Sequence, residues 1–270
     1  MRNLRTRIFA FSAIVLLTCL GMDGSVGTSD RAASVYDYAT QALLWYQSSA
    51  ECRALYYQAY NTARLVLDNN LRIHSTMKKK AVIFDIDETI LDDSPHSALL
   101  LKQNKLFPYR YDEWIEAAKE PALPGALEFA RYAASRGVGL FYISNRTTKM
   151  MAATVRNLRS AGFPQVEESH VLLMGDDPSK ESRRKTVAAS YEVVLLLGDN
   201  LNDLSNAFEI KDVAGRSAAA DKAKSLFGSK YIVLPNPVYG AWESAVFGGK
   251  SNLSEEEKDA MRKAALKAFE

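Results

Sequence analysis

Two acidic clusters have the residue types and spacing expected of a divalent-cation site. Asp85 and Asp87 stand two residues apart directly after a short apolar run, and Asp199 and Asp203 follow another such run. Acids gathered at the ends of separate strands would repel one another unless a cation lay among them, and Mg²⁺ prefers oxygen ligands. Read alone, either cluster could equally be the N-cap of a following helix.

Three further polar residues are placed where they could bind a phosphate group. Ser144 and Asn145 directly follow an apolar run, and a hydroxyl and an amide can both donate to phosphate oxygens. Lys180 lies between two of the runs; a lone lysine is usually solvated, so it matters here only because of its neighbours. The combination favours phosphate chemistry assisted by a metal ion.

The elements that must position these residues alternate between short apolar runs and helical stretches. Apolar strands alternating with helices indicate a parallel sheet covered on both faces, in which ligands bind beyond the carboxyl ends of the strands. The sequence therefore predicts an α/β fold with a doubly wound, Rossmann-like parallel sheet and a smaller helical domain. The five predicted strands are 81–84, 138–143, 171–174, 193–197 and 231–234, and the clearest helices are 125–135 and 148–161.

Composition shifts divide the chain into five parts. The insertion carries a group of aromatic residues. We expect the last helix to begin at Ser254, a favourable N-cap followed by three glutamates. The predicted parts are a signal peptide (1–18), a flexible tether (19–32), an N-terminal helical part (33–79), a core (80–235) with an insertion (93–123), and a C-terminal loop and helix (236–270).

The N-terminus reads as an export signal. A basic start is followed by an uncharged run at 8–20, which is too short to span a bilayer as a helix. Leu16-Leu17-Thr18-Cys19 resembles a bacterial lipobox, which would attach a lipid to Cys19; ordinary cleavage a few residues later is the alternative. We therefore expect an exported, lipid-anchored protein of the bacterial outer membrane or periplasm.

The charge distribution does not favour a nucleic acid polymer as a partner. The formal net charge is +2, from 34 basic and 32 acidic residues, and three of the arginines lie in the predicted signal peptide. With no basic stripe left, a nucleic acid polymer is not an expected partner.

The motifs together resemble a known family. Asp85-x-Asp87-x-Thr89, Ser144, Lys180 and Asp199-x-x-x-Asp203 match the four motifs of the haloacid-dehalogenase (HAD) superfamily in order and spacing. Paired aspartates in the first and last motifs mark its bacterial nonspecific acid phosphatases. Further similarity, over roughly residues 40–270, is to the class C acid phosphatases and lipoprotein e(P4), for example in Leu234-Pro235-Asn236 and Tyr239-Gly240-Ala241-Trp242-Glu243.

This resemblance implies roles for the site residues. Asp85 is expected to attack phosphorus and form a phospho-aspartate, while Asp87 protonates the departing oxygen and then activates water. Ser144 and Lys180 are expected to neutralise charge on the phosphoryl oxygens. In this family Mg²⁺ is held by the Asp85 side chain, the Asp87 backbone carbonyl and Asp199, with Asp203 supporting through water.

The resemblance also implies a substrate class. Nucleoside 5′-monophosphates are favoured, with Asn145 near the phosphate and Tyr239 and Trp242 beside the base, and a homodimer is expected. Two alternatives remain open: a phosphatase for another phosphate ester, and a catalytically silent surface lipoprotein that binds a ligand. The intact Asp85, Asp87, Lys180 and Asp199 argue against the second, because a binding protein does not need all four.

Overall fold

A five-stranded parallel sheet forms the centre of the protein. Its strand order is β3-β2-β1-β4-β5, and every neighbouring pair is parallel. The predicted doubly wound α/β fold is thereby confirmed. The strands are β1 (Lys79–Phe84), β2 (Gly139–Thr147), β3 (Val171–Met174), β4 (Tyr191–Gly198) and β5 (Tyr231–Val233).

Eleven α-helices accompany the sheet in the part of the chain that the structure describes. The helices are α1 (Val35–Ser48), α2 (Ala50–Arg72), α3 (Ser94–Gln103), α4 (Tyr111–Ala117), α5 (Ala126–Ser135), α6 (Met151–Ala161), α7 (Glu181–Ser190), α8 (Leu201–Leu204), α9 (Val213–Lys222), α10 (Ala241–Val246) and α11 (Glu255–Ala265).

The computed structural model describes residues 35–73 and 77–269, which belong to one compact unit. The predicted signal peptide, the tether and Cys19 lie outside these residues. Within the described ranges, no helix combines the length and apolar character needed to cross a membrane.

The sheet is buried on both faces. Successive side chains of a strand point to opposite faces of the sheet, so each strand contributes to both apolar layers. In β1, Val82 and Phe84 pack into one apolar cluster, with residues of α2, α5 and α6. Ala81 and Ile83 pack into a second cluster on the other face, beneath α7. Helices on both faces leave the carboxyl ends of the strands as the edge where polar groups can gather.

The N-terminal helical part is a pair of helices broken at Ser49. The Ser49 hydroxyl caps α2 by accepting from the Cys52 backbone N–H at 3.0 Å. We expected the aromatic stripe of this region to be core, and Tyr56 and Tyr60 are indeed buried. Their hydroxyls also reach the loop after β1, where they donate to backbone carbonyls.

The insertion and the tail flank the carboxyl end of the sheet. The insertion contributes α3 and α4. The indole of Trp114 in α4 donates a hydrogen bond to the carboxylate of Asp93, which directly precedes α3. The tail contributes α10 and α11, and Ser254 caps α11 by accepting from the Glu257 N–H at 3.2 Å, as predicted.

Candidate active site

The carboxyl ends of β1 and β4 bring the two predicted acidic clusters together. Candidate ligand oxygens of Asp85, Asp199 and Asp203 all lie within 4.8 Å of one another. Gly198, which ends β4, makes this approach possible, since a Cβ there would lie 2.5 Å from the Asp203 Cβ. Asp85 of the first cluster and both aspartates of the second thus form one group of carboxylates.

Lys180 neutralises part of this group. It directly precedes α7, and its ammonium contacts the carboxylates of Asp85 and Asp203, the latter at 2.7 Å. Burial disfavours the charge of Lys180, but Asp203 and Asp85 outweigh burial and raise its pKa. The lysine is therefore a fixed cation beside Asp85.

Asp199 is oriented by two neighbours. Asn236 donates to one of its oxygens at 2.9 Å, and the Thr89 hydroxyl lies 3.3 Å from the other. Burial, and next the charge of Asp203, raise the pKa of Asp199 to about 7. A hard cation would relieve this repulsion, and three carboxylates are the oxygen donors that suit one. The residues present therefore fit a divalent metal ion.

Asp87 lies in a different environment from Asp85. Its carboxylate accepts from the Ser144 hydroxyl at 3.1 Å and from Arg146, whose Nε and Nη2 are 3.0 and 2.6 Å from Oδ1. This side chain is not part of the carboxylate group around Asp199. Its expected metal contact through the backbone carbonyl stays a prediction.

Arg146 and its second partner, Glu120, were not anticipated as site residues. Arg146 also contacts the Glu120 carboxylate, and both side chains are fully buried. Burial raises the pKa of Glu120 to about 7, although Arg146 opposes this. Arg146 directly follows two candidate residues in the sequence and could have been noticed; Glu120 lies in the insertion with no motif to mark it.

Asn145 is held by an arginine from α7. Arg183 donates to the Asn145 side-chain oxygen at 2.8 Å and to the Ser144 carbonyl at 2.6 Å. This contact orients the side-chain amide, whose nitrogen is the atom of Asn145 that can donate to a phosphate group. Asn145 lines the same cavity as Ser144.

A cavity of about 550 Å³ opens above these residues. Its floor is polar and holds all the predicted catalytic side chains. Its walls are largely apolar and come from the insertion and from the loop after β5. Among its lining residues are Asp85, Asp87, Ser144, Asn145, Arg146, Lys180, Asp199 and Asp203 in the floor, and His96, Leu100, Phe107, Tyr111 and Tyr239 in the walls.

The two predicted base-binding aromatics differ in position. The Tyr239 ring lines the cavity, while its hydroxyl donates to the buried carboxylate of Glu88. Trp242 is half-exposed, donates its indole N–H to the Tyr239 carbonyl at 3.2 Å, and is absent from the described lining of the cavity. The substrate-binding role of Trp242 stays a prediction that this position does not support.

Comparison with known proteins settles the family. A model of the HAD superfamily, subfamily IIIB (acid phosphatase), matches residues 13–242. The chain belongs to this family. It is therefore a phosphoric monoester hydrolase, and the silent ligand-binding alternative is set aside.

Solved and curated relatives agree with this assignment. The class C acid phosphatase of Bacillus anthracis, solved with tungstate bound, is 44% identical with a TM-score of 0.84; the match covers 87% of this chain and 99% of that one. The stem 28 kDa glycoprotein of Glycine max is 30% identical over 72% of this chain and 69% of its own length. Acid phosphatase 1 of Solanum lycopersicum is 30% identical, with 58% of this chain and 57% of the relative covered.

Proposed function

We propose that this acid phosphatase hydrolyses nucleoside 5′-monophosphates through a phospho-aspartate on Asp85, with Mg²⁺ as its cofactor. The observation that carries the proposal is the joint geometry of the cavity. One floor holds a carboxylate beside a fixed cation, a second carboxylate in separate surroundings, and a group of three acids that fits a metal ion. Aromatic walls stand above that floor.

The chemistry follows from these surroundings. Asp85 attacks phosphorus, so that a carboxylate oxygen–phosphorus bond forms while the bond to the ester oxygen breaks. Asp87 supplies a proton to that departing oxygen, and afterwards takes one from a water molecule. The oxygen of this water attacks phosphorus while the bond between phosphorus and the Asp85 oxygen breaks, which releases phosphate and restores the Asp85 carboxylate. Lys180, Ser144 and the Asn145 amide provide donors for the phosphoryl oxygens. Mg²⁺ would be held by the Asp85 side chain, the Asp87 backbone carbonyl and Asp199, with Asp203 in support, and would neutralise negative charge on the phosphoryl group.

Two further observations support a nucleotide as substrate, the first for its phosphate group and the second for its base. The related Bacillus anthracis enzyme was solved with tungstate, a tetrahedral oxyanion similar to phosphate. Phe107, Tyr111 and Tyr239 line the cavity walls and supply aromatic rings on which a base could stack. Stacking on an aromatic side chain is worth about 1–3 kcal/mol per base and tolerates different bases. We therefore expect a preference for nucleotides with little discrimination among bases.

A substrate panel tests this proposal. Phosphate release from nucleoside 5′-monophosphates, sugar phosphates and 4-nitrophenyl phosphate is measured on purified protein, with chelator and with Mg²⁺ restored. We expect chelation to abolish turnover, Mg²⁺ to restore it, and the nucleotides to have the highest kcat/KM, about ten- to a hundredfold above a bare sugar phosphate. Full activity after exhaustive chelation would contradict the metal requirement. A sugar phosphate at the top of the panel would favour the other-ester alternative.

We also propose that the insertion (93–123) and the C-terminal segment (236–270) are units added to a core at 80–235.

We further propose that the enzyme is exported and anchored to a membrane by a lipid on Cys19. The lipobox-like sequence before Cys19 supports the anchor. Mass spectrometry of the native N-terminus tests it, because a lipid adds a defined mass to a chain that begins at Cys19. A chain that begins a few residues later, without lipid, would contradict it. Light scattering on purified protein tests the expected homodimer.

A further inference from the structure

A continuous chain of buried ionic contacts runs from the insertion to Asp87. The Arg146 Nη2 lies 2.6 Å from Asp87 Oδ1 and also contacts the Glu120 carboxylate. Arg146 and Glu120 have side chains that are 0% exposed, whereas the Asp87 side chain keeps 18% of its surface exposed towards the cavity. Of these three side chains, only that of Asp87 has exposed surface.

The far end of the chain is fixed to a helix. Asn157 of α6 accepts from the Glu120 backbone N–H and donates to the Glu120 carbonyl, both at 2.9 Å. Thr154, one turn earlier on α6, accepts from Arg146 Nη1 at 3.4 Å. The insertion, β2 and α6 therefore all contribute to holding one guanidinium group.

Stability alone does not account for this arrangement. Oε1 of Glu120 is buried and has no hydrogen-bond partner among the described residues. A buried polar atom without a partner costs about 1–3 kcal/mol, and buried ion pairs are often no more stabilising than apolar residues of the same volume. A function for the pair explains it better.

We propose that Glu120 and Arg146 are positioning residues for proton transfer by Asp87. Arg146 and Ser144 contact both oxygens of Asp87, so the plane of its carboxyl group is fixed. Glu120 fixes Arg146 in turn. A general acid must lie within hydrogen-bond reach of the departing oxygen, and a misplacement of about 1 Å can cost about a hundredfold in rate. This inference rests on the proposed function, because it requires Asp87 to be the acid.

The test uses two substrates of nearly equal shape. 4-Nitrophenyl phosphate has a good leaving group that needs little protonation, while phenyl phosphate depends more on the acid. We expect Glu120→Gln to lower kcat/KM for phenyl phosphate about tenfold more than for 4-nitrophenyl phosphate. A residue that merely supports the fold would lower both values by the same factor.

Matched variants make the result specific. Glu116 also links α4 of the insertion to α6, through a 2.8 Å ion pair with Arg156, but both side chains are about half-exposed or more and neither lines the described cavity. Glu116→Gln should therefore change neither substrate. If Glu120→Gln fails to fold, Glu120→Asp is assayed instead; it keeps the charge but shortens the reach to Arg146, so the same split is expected at smaller size.

Asp87→Asn separates failure of this inference from failure of the proposed function. If Asp87→Asn shows the leaving-group split and the Glu120 variants do not, or if they lower both substrates equally, the positioning role is wrong. If Asp87→Asn itself shows no split, the assignment of Asp87 as the acid is wrong. A split in both, absent in Glu116→Gln, supports the positioning role.

Discussion

Two aspartates that are two residues apart have opposite surroundings in this enzyme. Asp85 faces Lys180 and the two aspartates that follow β4, whereas Asp87 faces Ser144 and Arg146. Pairs of carboxyl groups in different environments can take different chemical roles, and this difference agrees with one nucleophile and one acid. Neighbouring elements, not the motif alone, therefore separate the two roles.

Asp85→Asn should abolish turnover. An amide cannot act as the nucleophile, and loss of a nucleophile commonly lowers kcat by a factor of about 10³ or more. Phosphate release by freshly purified protein measures this. Activity that rises as the sample ages would indicate deamidation back to aspartate, whereas near-normal activity in fresh protein would exclude Asp85 as the nucleophile.

Tyr239→Ala should lower kcat/KM for nucleoside 5′-monophosphates about tenfold more than for a small alkyl phosphate. The Tyr239 ring lines the cavity, and its loss removes a stacking surface worth about 1–3 kcal/mol. Steady-state kinetics on the two substrates measure the ratio.

Tyr239→Phe is the matched control for that experiment. It keeps the ring and removes only the hydroxyl that donates to Glu88. We expect it to keep the preference for nucleotides, even if its stability falls. An equal loss on both substrates in Tyr239→Ala would mean that the ring supports the fold and does not bind the base.

At the scale of elements, helix α2 holds the loop that follows β1. Tyr56 and Tyr60 donate to the carbonyls of Glu88 and Thr89, both at 2.6 Å. Glu88 has a φ of 52°, which is uncommon for a residue other than glycine. The surrounding contacts must therefore stabilise this conformation directly after Asp87.

Tyr60→Phe should destabilise the protein by about 1–3 kcal/mol, because it leaves the buried Thr89 carbonyl without this donor. A loss of that size would lower Tm by several degrees, at about 2–4 °C per kcal/mol for a chain of this size. Thermal unfolding measures it. Tyr57→Phe on the same helix is the control, because Tyr57 is 40% exposed and its hydroxyl contacts only Arg53 among the described residues. Equal effects of the two substitutions would contradict the role of Tyr60.

The elements show which features the sequence could predict. The five strands and the positions of Asp85 and Asp199 at one edge could be found, because apolar runs and strand-end polar residues are local signals. Lys180 carries no such signal and was selected through its neighbours and the resemblance to the HAD motifs. The Glu120 partner of Arg146 could not be found, because Glu120 reaches Arg146 only after the insertion folds onto α6. Trp242 was predicted from the family resemblance of the segment after β5, and that resemblance did not show which of its aromatic residues line the cavity: Tyr239 does, whereas Trp242 is absent from the described lining.

At the scale of the whole molecule, the near-neutral net charge conceals a concentration of buried acids. Burial raises the pKa of Asp93 to about 8, and the charges of Asp87 and Glu120 act in the same direction. The pKa values of Glu120 and Asp199 rise to about 7. The folded, metal-free protein therefore holds protons that the unfolded chain releases above its ordinary carboxyl pKa of about 4.

This difference predicts that the metal-free protein loses stability as pH rises from about 5 to about 8. Between these values the folded state binds more protons than the unfolded state, so the free energy of unfolding falls with pH. The stabilisation is complete below the unfolded pKa and is lost as pH passes through the raised values. Denaturant unfolding in the presence of chelator, at a series of pH values, measures the slope.

Asp93→Asn should make that slope shallower, because the amide is neutral at every pH and still offers an oxygen to the Trp114 indole. Asp112→Asn is the control, because Asp112 is exposed in the first turn of α4 and loses little hydration on folding. Added Mg²⁺ should raise stability most at high pH, where protons no longer compete with the metal ion for the carboxylates of Asp85 and Asp199, because a bound ion stabilises the folded state by mass action. A metal-free protein whose stability is flat or rises between pH 5 and 8 would show that these acids are already ionised in the folded state.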